Sequence, residues 1–508
     1  MSRSSIELRP TTPFGGETSR GTFRTSAMAL ARAGKPPGQS QQQEMDDSRA
    51  TTRPPSPTEE EEGSGAEEDG AQGRHEFSLP PTDSGKDAWM FLLSSFMMEA
   101  FVWGFPFAFG VFQNYYSTHE PFAGSSQIAV IGTCAMGIMY LDLPLIIALL
   151  RLYPRQARYS PAIGITLMCA ALGLSSLSQT TTHLIVTQGI LYAVGGSIAY
   201  CPCILYMDEW FVQRKGLAYG IMWSGTGLGG ITMPLLLEFL LGRYGFRTTL
   251  RIWAAALFVA TLPLVYFMKP RLPPAAARVS PLKLGFVFSR TFALYQVTNI
   301  VEALGYFLPG IYLPSYARVT LGAGPFPSAL TLLVLNVATV VGCVAMGWLT
   351  DRLHVTTCIL VSTAGTAVGT FLLWGLGQNL ATLYAFCALY GMFAGAYTST
   401  WPGIMRQVTT APPERGDDGS SSSGSSSSGG GGRVFDPIMV CGFLALGRGI
   451  GNVVSGPLSE ALIANMPWKG DAAAGYGSGY GTLIAFTGTT AVVGGGSYLF
   501  RRVGWMPA

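Results

Sequence analysis

Between residues 87 and 500 the chain is a succession of apolar runs too long and too poor in charge for the core of a soluble protein. A helix needs about 20 apolar residues to cross the hydrocarbon layer of a bilayer, and these runs come at or close to that length. Twelve can be placed: near 88–113, 126–150, 160–179, 183–208, 216–241 and 250–268, then near 291–317, 326–350, 356–376, 380–405, 437–463 and 479–500. Charged residues make up 12% of the chain, about half the share of a soluble domain, so the runs face lipid or one another. The sequence predicts an all-α integral membrane protein of twelve transmembrane helices in two six-helix halves, 87–268 and 291–500. A cytosolic linker at 269–290 joins them, and 501–508 forms a short cytosolic end.

Orientation follows from the basic residues, because short Lys- and Arg-rich loops stay on the cytosolic side. With the N-terminus inside, the inner segments hold sixteen Lys and Arg, from Arg151 to Arg502, and the outer ones four: Arg243, Arg247, Arg318 and Lys469. Both termini are expected in the cytosol, with the plasma membrane as the expected location. Residues 1–86, which include PPSPTEEEEGSGAEEDG, bury too little apolar surface to fold and read as a disordered cytosolic tail. The Ser/Gly stretch within 412–435 reads as a flexible loop between the tenth and eleventh crossings.

Other functions find little support. The four His, at 75, 119, 183 and 354, are scattered, and no phosphate-binding loop of the form G-x-x-x-x-G-K-[ST] occurs, so neither an enzyme nor a nucleotide-driven pump is expected. Cys201 and Cys203 flank Pro202 without a His or carboxylate at ligand spacing; no metal and no cofactor are expected. The net charge of +3 mixes an acidic tail with basic loops and does not imply nucleic acid. A monomer is the default expectation.

One internal repeat stands out. Crossing one contains EAFVWGFP, with Glu99 and Pro106, and crossing seven contains EALGYFLP, with Glu302 and Pro309, a constant offset of 203 residues. Two halves running in the same direction and related in this way are the architecture of a carrier built from parallel repeats. Glu99, Glu302 and Arg448 each lie 12 residues inside their crossings, counted from Asp87, Arg290 and Asp436. That is roughly 18 Å at ~1.5 Å per residue, near the midplane. An ionised group there costs at least about 2.5–3.5 kcal/mol, so these three side chains must face a cavity or each other. Glu99 and Glu302 are expected to line a central cavity as proton- or substrate-binding groups. Arg448 is expected to hold an anionic substrate or one of the two carboxylates. A packing role, with each acid bonded to a neighbouring helix, is the competing reading.

The glycines of crossing five, among them Gly225 and Gly229 before Pro234, and those of crossing eleven, among them Gly447 and Gly451 before Pro457, supply close-packing faces and bendable points. At the inner end of crossing four, Asp208 and Glu209 stand near Arg214 and Lys215, as a second ion-pair gate or a solvated loop.

The stretch GWLTDRL at 347–353 resembles the signature loop of the major facilitator superfamily, and WFVQRKGLAYGIMWSGTGLGG at 210–230 resembles the junction of crossings four and five in its monocarboxylate transporter group, especially the fungal members. GFPFAFGVFQNYY, YGFR and GRGIGNVVSGP agree with that group. The resemblance implies that Asp351 and Arg352 clamp the cytosolic side. The equivalent first-half loop, ALLRLYPRQ, lacks an Asp-Arg pair, leaving Arg151 and, from within crossing two, Asp142 as substitutes. It further implies a secondary carrier for small organic acids or acidic metabolites, which the buried carboxyls lead us to expect to be proton-linked. Its relatives comprise nutrient importers, a riboflavin-carrier-like branch and exporters of polyketide-type products. A transporter-like sensor signalling through the long tail is the alternative of another class.

Overall fold

The computed structural model describes residues 79–125, 127–272, 284–410 and 435–506. The tail up to residue 78, the middle of the inter-half linker and the Ser/Gly loop lie outside the described residues. Among those described there is no β-strand, and every apolar run is helical.

In the first half, α1 spans Lys86–Thr118, α2 is bent by 43° between Ile128–Leu141 and Leu143–Leu152, α3 is Ser160–Ser175 and α4 is Thr181–Trp210. Lys215–Val265 follows as a single 51-residue helical stretch. At about 1.5 Å per residue it is more than twice the ~30 Å hydrocarbon thickness. It divides at Gly245, whose φ of 71° breaks the helix where only glycine is unstrained. The limbs are α5 (residues 215–244) and α6 (residues 246–265). In the second half, α7 is Arg290–Val319, α8 Pro325–Thr350, α9 Val355–Trp374, α10 Leu380–Thr410, α11 Pro437–Ile463 and α12 Gly481–Arg502.

Eight of the described helices are long and apolar enough by themselves to cross a membrane, nine with the bent α2. Dividing the α5–α6 stretch, and adding α3 and α7, brings the set to twelve. Of these, α7 turns its polar load inward: Thr298, Asn299 and Glu302 are all buried. Gln296 Nε2 donates to Phe443 O at 2.7 Å and Asn299 Nδ2 to Leu444 O at 2.8 Å, so its polar face is turned to α11 rather than lipid.

The repeated Glu-Ala motif has a packing cause. A Cβ added at Gly229 on α5 would meet Ala100 O at 2.7 Å and Gly104 Cα at 2.8 Å; one added at Gly451 on α11 would meet the Ala303 carbonyl carbon at 2.9 Å. The same alanine of each repeat thus seats the same glycine of each partner helix, and the adjacent glutamate is carried to the same depth. Gly225 and Gly447 repeat this against Glu99 Cβ at 2.9 Å and Asn299 Nδ2 at 3.0 Å. Between halves, Gly220 approaches Gly347, with an added Cβ only 3.1 Å from its Cα. Pro106, Pro234, Pro309 and Pro457 all lie inside helices.

The expectation that everything before residue 87 is disordered needs correction. Residues 80–83 are fixed against the end of α4 and the start of the linker: the Asp83 N–H donates to Trp210 O at 2.9 Å, and Arg271 Nε donates to Pro80 O at 2.7 Å.

Candidate functional site

A cavity lies between the halves, about midway along the helices. Glu99, Thr226, Thr398 and Arg448 face it, walled by Trp103, Phe107, Tyr140, Tyr200, Trp223 and Tyr306. Its volume is about 40 Å³, room for water but far below the roughly 300–1,000 Å³ of a small-molecule pocket. This conformation is closed at its centre.

Glu302 and Arg448 come together as one of the two sequence readings anticipated. Arg448 Nη1 donates to Glu302 Oε2 at 2.9 Å, and both residues are buried. The guanidinium also lies 4.0 Å from the centre of the Tyr306 ring, a cation–π contact on its other side. Arg448 faces the cavity, whereas Glu302 is not among the residues lining it: the expectation that both glutamates line the cavity holds for Glu99 alone. The physical reason is the arginine, which reaches the carboxylate and takes its place at the wall.

Glu99 has no such partner. It is 2% exposed, its Oε2 has no hydrogen-bond partner, and its polar neighbour is Tyr200. The Tyr200 hydroxyl accepts from Trp223 Nε1 at 3.1 Å, and Trp223 packs edge-on against Trp401 of the other half, ring centres 5.5 Å apart. The reason for the asymmetry lies on α5 and α11. Gly225, Gly227 and Gly229 recur as Gly447, Gly449 and Gly451, and on that register Thr226 occupies the place of Arg448.

The face carrying the α4–α5 and α8–α9 turns is held shut by two contacts between halves. Asp351, just past α8, accepts from Gly216 N at 2.6 Å and Leu217 N at 2.8 Å at the start of α5. Burial raises its carboxyl above the ordinary range, while those N–H donors and Arg406 pull the other way. Arg151, in the last turn of α2, forms a two-pronged ion pair with Asp436, at 3.1 Å for each contact; Asp436 also caps α11 by accepting from Ile438 N at 3.0 Å.

The remaining gate candidates are placed differently from expectation. Arg352 stacks 4.0 Å over Trp348 and pairs with no acid among the described residues. Asp142 sits at the bend of α2, ten residues deeper than the helix end, and accepts from Ser197 Oγ at 2.7 Å within its own half. Asp208 does pair with Lys215, but both belong to the first half. Glu209 accepts from Arg271 N at 2.9 Å and Leu272 N at 3.0 Å, which ties down the end of the chain beyond α6. Arg214 contributes its backbone N–H to Asp83 at 2.8 Å.

Sequence reasoning missed Asp436, Asp83, Thr226 and the Tyr200–Trp223 pair. Asp436 could have been found: an Asp directly before a Pro at a helix start is a cap signature. Asp83 is masked by a similar signal, since it precedes α1 and reads as its cap, yet α1 begins after Gly85 without a side-chain cap.

Residues 92–432 match the family model described as Major Facilitator Superfamily. Among curated relatives, "MFS-type transporter 1" of Ophiocordyceps sp. is 28% identical over 64% of this chain and 73% of its own length. "Monocarboxylate transporter 13" of Bos taurus is 30% identical over 63% of this chain and 75% of its own. "Fujikurins efflux protein" of Gibberella fujikuroi is 25% identical over 63% and 69%. The chain is therefore a membrane transporter, not an enzyme, and belongs to the major facilitator superfamily.

Proposed function

We propose that this transporter is a secondary carrier of the plasma membrane, with both termini in the cytosol, moving an organic acid or acidic metabolite by alternating access with protons coupled through Glu99. The observation that carries this reading is the pairing of unlike groups across one cavity: a buried carboxyl with an unpartnered oxygen faces an arginine that presents positive charge through an aromatic wall. Arg448 attracts the substrate's anion, and Glu302 behind it keeps the guanidinium tolerable at that depth. Glu99 carries a proton as a neutral acid when the cavity closes, because an ionised carboxylate there has no cation to offset it. Six aromatic side chains around the cavity favour a substrate with a conjugated or bulky apolar body.

Asp351 with α5, and Arg151 with Asp436, act as the cytosolic gate. Opening it while closing the outer side requires the halves to rock on their glycine faces, with the four helix prolines as bend points. The relative named for fujikurin efflux favours export; import of a monocarboxylate or a riboflavin-like nutrient is the second direction.

The test is loading of expressing and non-expressing cells with labelled aliphatic and aromatic carboxylic acids, followed by efflux at several external pH values. Faster, pH-dependent efflux of the aromatic acids is expected. Identical efflux of every acid from both cell types would overturn the reading.

A further inference from the structure

The start of α5 is shared by two carboxylates. The N–H groups of Gly216 and Leu217 go to Asp351 from the second half. Those of Val212, Gln213 and Arg214, immediately before, go to Asp83, at 2.8–3.2 Å. The opening of a helix offers unsatisfied donors and partial positive charge, and here all five point at acids that are remote in sequence. Asp83 is itself held: its φ of 56° and its own N–H bond to Trp210 O make it bridge the end of α4 and the start of α5. The segment carrying it is tied through Pro80 O to Arg271.

We propose that Asp83 is a positioning residue of the cytosolic gate: by fixing residues 212–214 it sets the angle and register at which α5 offers Gly216 and Leu217 to Asp351. The argument rests on the gate reading given above. Phe211 N still bonds back to Met207 O, but residues 212–214 are non-helical and their N–H groups go to Asp83. Without Asp83 they would turn to water and the first turn of α5 would fray, withdrawing the donors on which Asp351 depends. Gly216 leaves no slack, since a Cβ there would sit 2.7 Å from Asp351 Oδ1; a small displacement of the turn breaks the contact. Asp83 thereby gives the chain just before α1 a direct hold on the contact between the halves.

The experiment places a reporter cysteine at Thr409, which lines the crevice beside Asp351, Lys215 and Arg406. Its labelling by a membrane-impermeant maleimide is followed in inside-out vesicles, with the cysteine-unmodified chain as background. D83A and D351A should each speed labelling about five-fold or more, the low end of ordinary coupling between sites. The double variant should be no faster than D351A alone, because both act on one helix end. D83N keeps one oxygen acceptor and should fall between wild type and D83A, which preserves the test if D83A does not fold. Wild-type labelling in D83A and D83N while D351A is fast would overturn the role of Asp83 alone. Wild-type labelling in D351A as well would overturn the gate reading and this proposal with it. Additive effects in the double variant would reduce Asp83 to a general structural residue and also overturn it.

Discussion

The two halves carry the same glutamate on the same motif at the same depth, and yet the two acids live differently. In the second half Glu302 is held by Arg448 at 2.9 Å and withdrawn from the cavity. In the first, Thr226 stands on the equivalent register, and Glu99 faces the cavity beside Tyr200 with one oxygen unpartnered. The difference teaches that the repeat fixes geometry and a single substitution on the partner helix fixes chemistry. One copy becomes an ion pair that presents a cation to the cavity; the other keeps a carboxyl facing the cavity with one oxygen unpartnered. The contacts between the halves at the Asp351 and Arg151 face differ in the same manner. The second half's loop offers an acid to bare helix donors, and the first half's loop offers Arg151 to an acid that already caps its own helix.

The largest effect should come from breaking the pair. R448A leaves Glu302 buried without a cation, at about 3–5 kcal/mol, and should abolish recovery of folded protein from detergent as judged by size exclusion. The E302L/R448L double variant replaces the pair with apolar volume and should recover folding without transport. Wild-type transport by that variant would mean that Arg448 does not meet substrate.

Next, E99Q should fold like wild type, since it removes no ion pair, but lose the response of transport to external pH. The dependence should flatten by about ten-fold across the range in which wild type responds, within the usual span of coupling between two ligands. An unchanged pH profile in E99Q would dissolve the distinction between the two acids.

A smaller change is expected from Y200F. It removes Glu99's polar neighbour and leaves Trp223 Nε1 buried without its acceptor, about 1–3 kcal/mol in thermal unfolding. The equivalent loss should not follow a conservative change beside Glu302, whose partner is the arginine.

The smallest concerns the gates. The Asp351 carboxyl in the closed state holds its proton more tightly than an exposed carboxyl does. Lowering cytosolic pH through the window between the ordinary carboxylate range and that raised value therefore favours closure, and raising pH above it removes the contribution. Labelling at T409C should slow modestly on acidification in wild type and lose that dependence in D351N.

Much of this was legible beforehand. Twelve crossings follow from run length and low charge, and α7 was found despite its polar load because its apolar background is long enough on either side of Glu302. The midplane depth of Glu99, Glu302 and Arg448 follows from counting residues at fixed helical rise. Gate assignments fared worse, because Asp142, Glu209 and Arg352 look alike in sequence to Asp351 and Asp436. Whether a charge meets the other half or its own depends on which way a helix end faces.

By itself the sequence determined the all-helical membrane fold, the repeat and the three ionisable groups at its centre, since these rest on local periodicity and the cost of charge in lipid. Only the tertiary structure decided that Arg448 takes Glu302 rather than Glu99, that Asp83 serves α5 rather than α1, and that Arg151 reaches Asp436. Those choices depend on packing between segments more than a hundred residues apart, where glycine and alanine contacts set which side chains can touch.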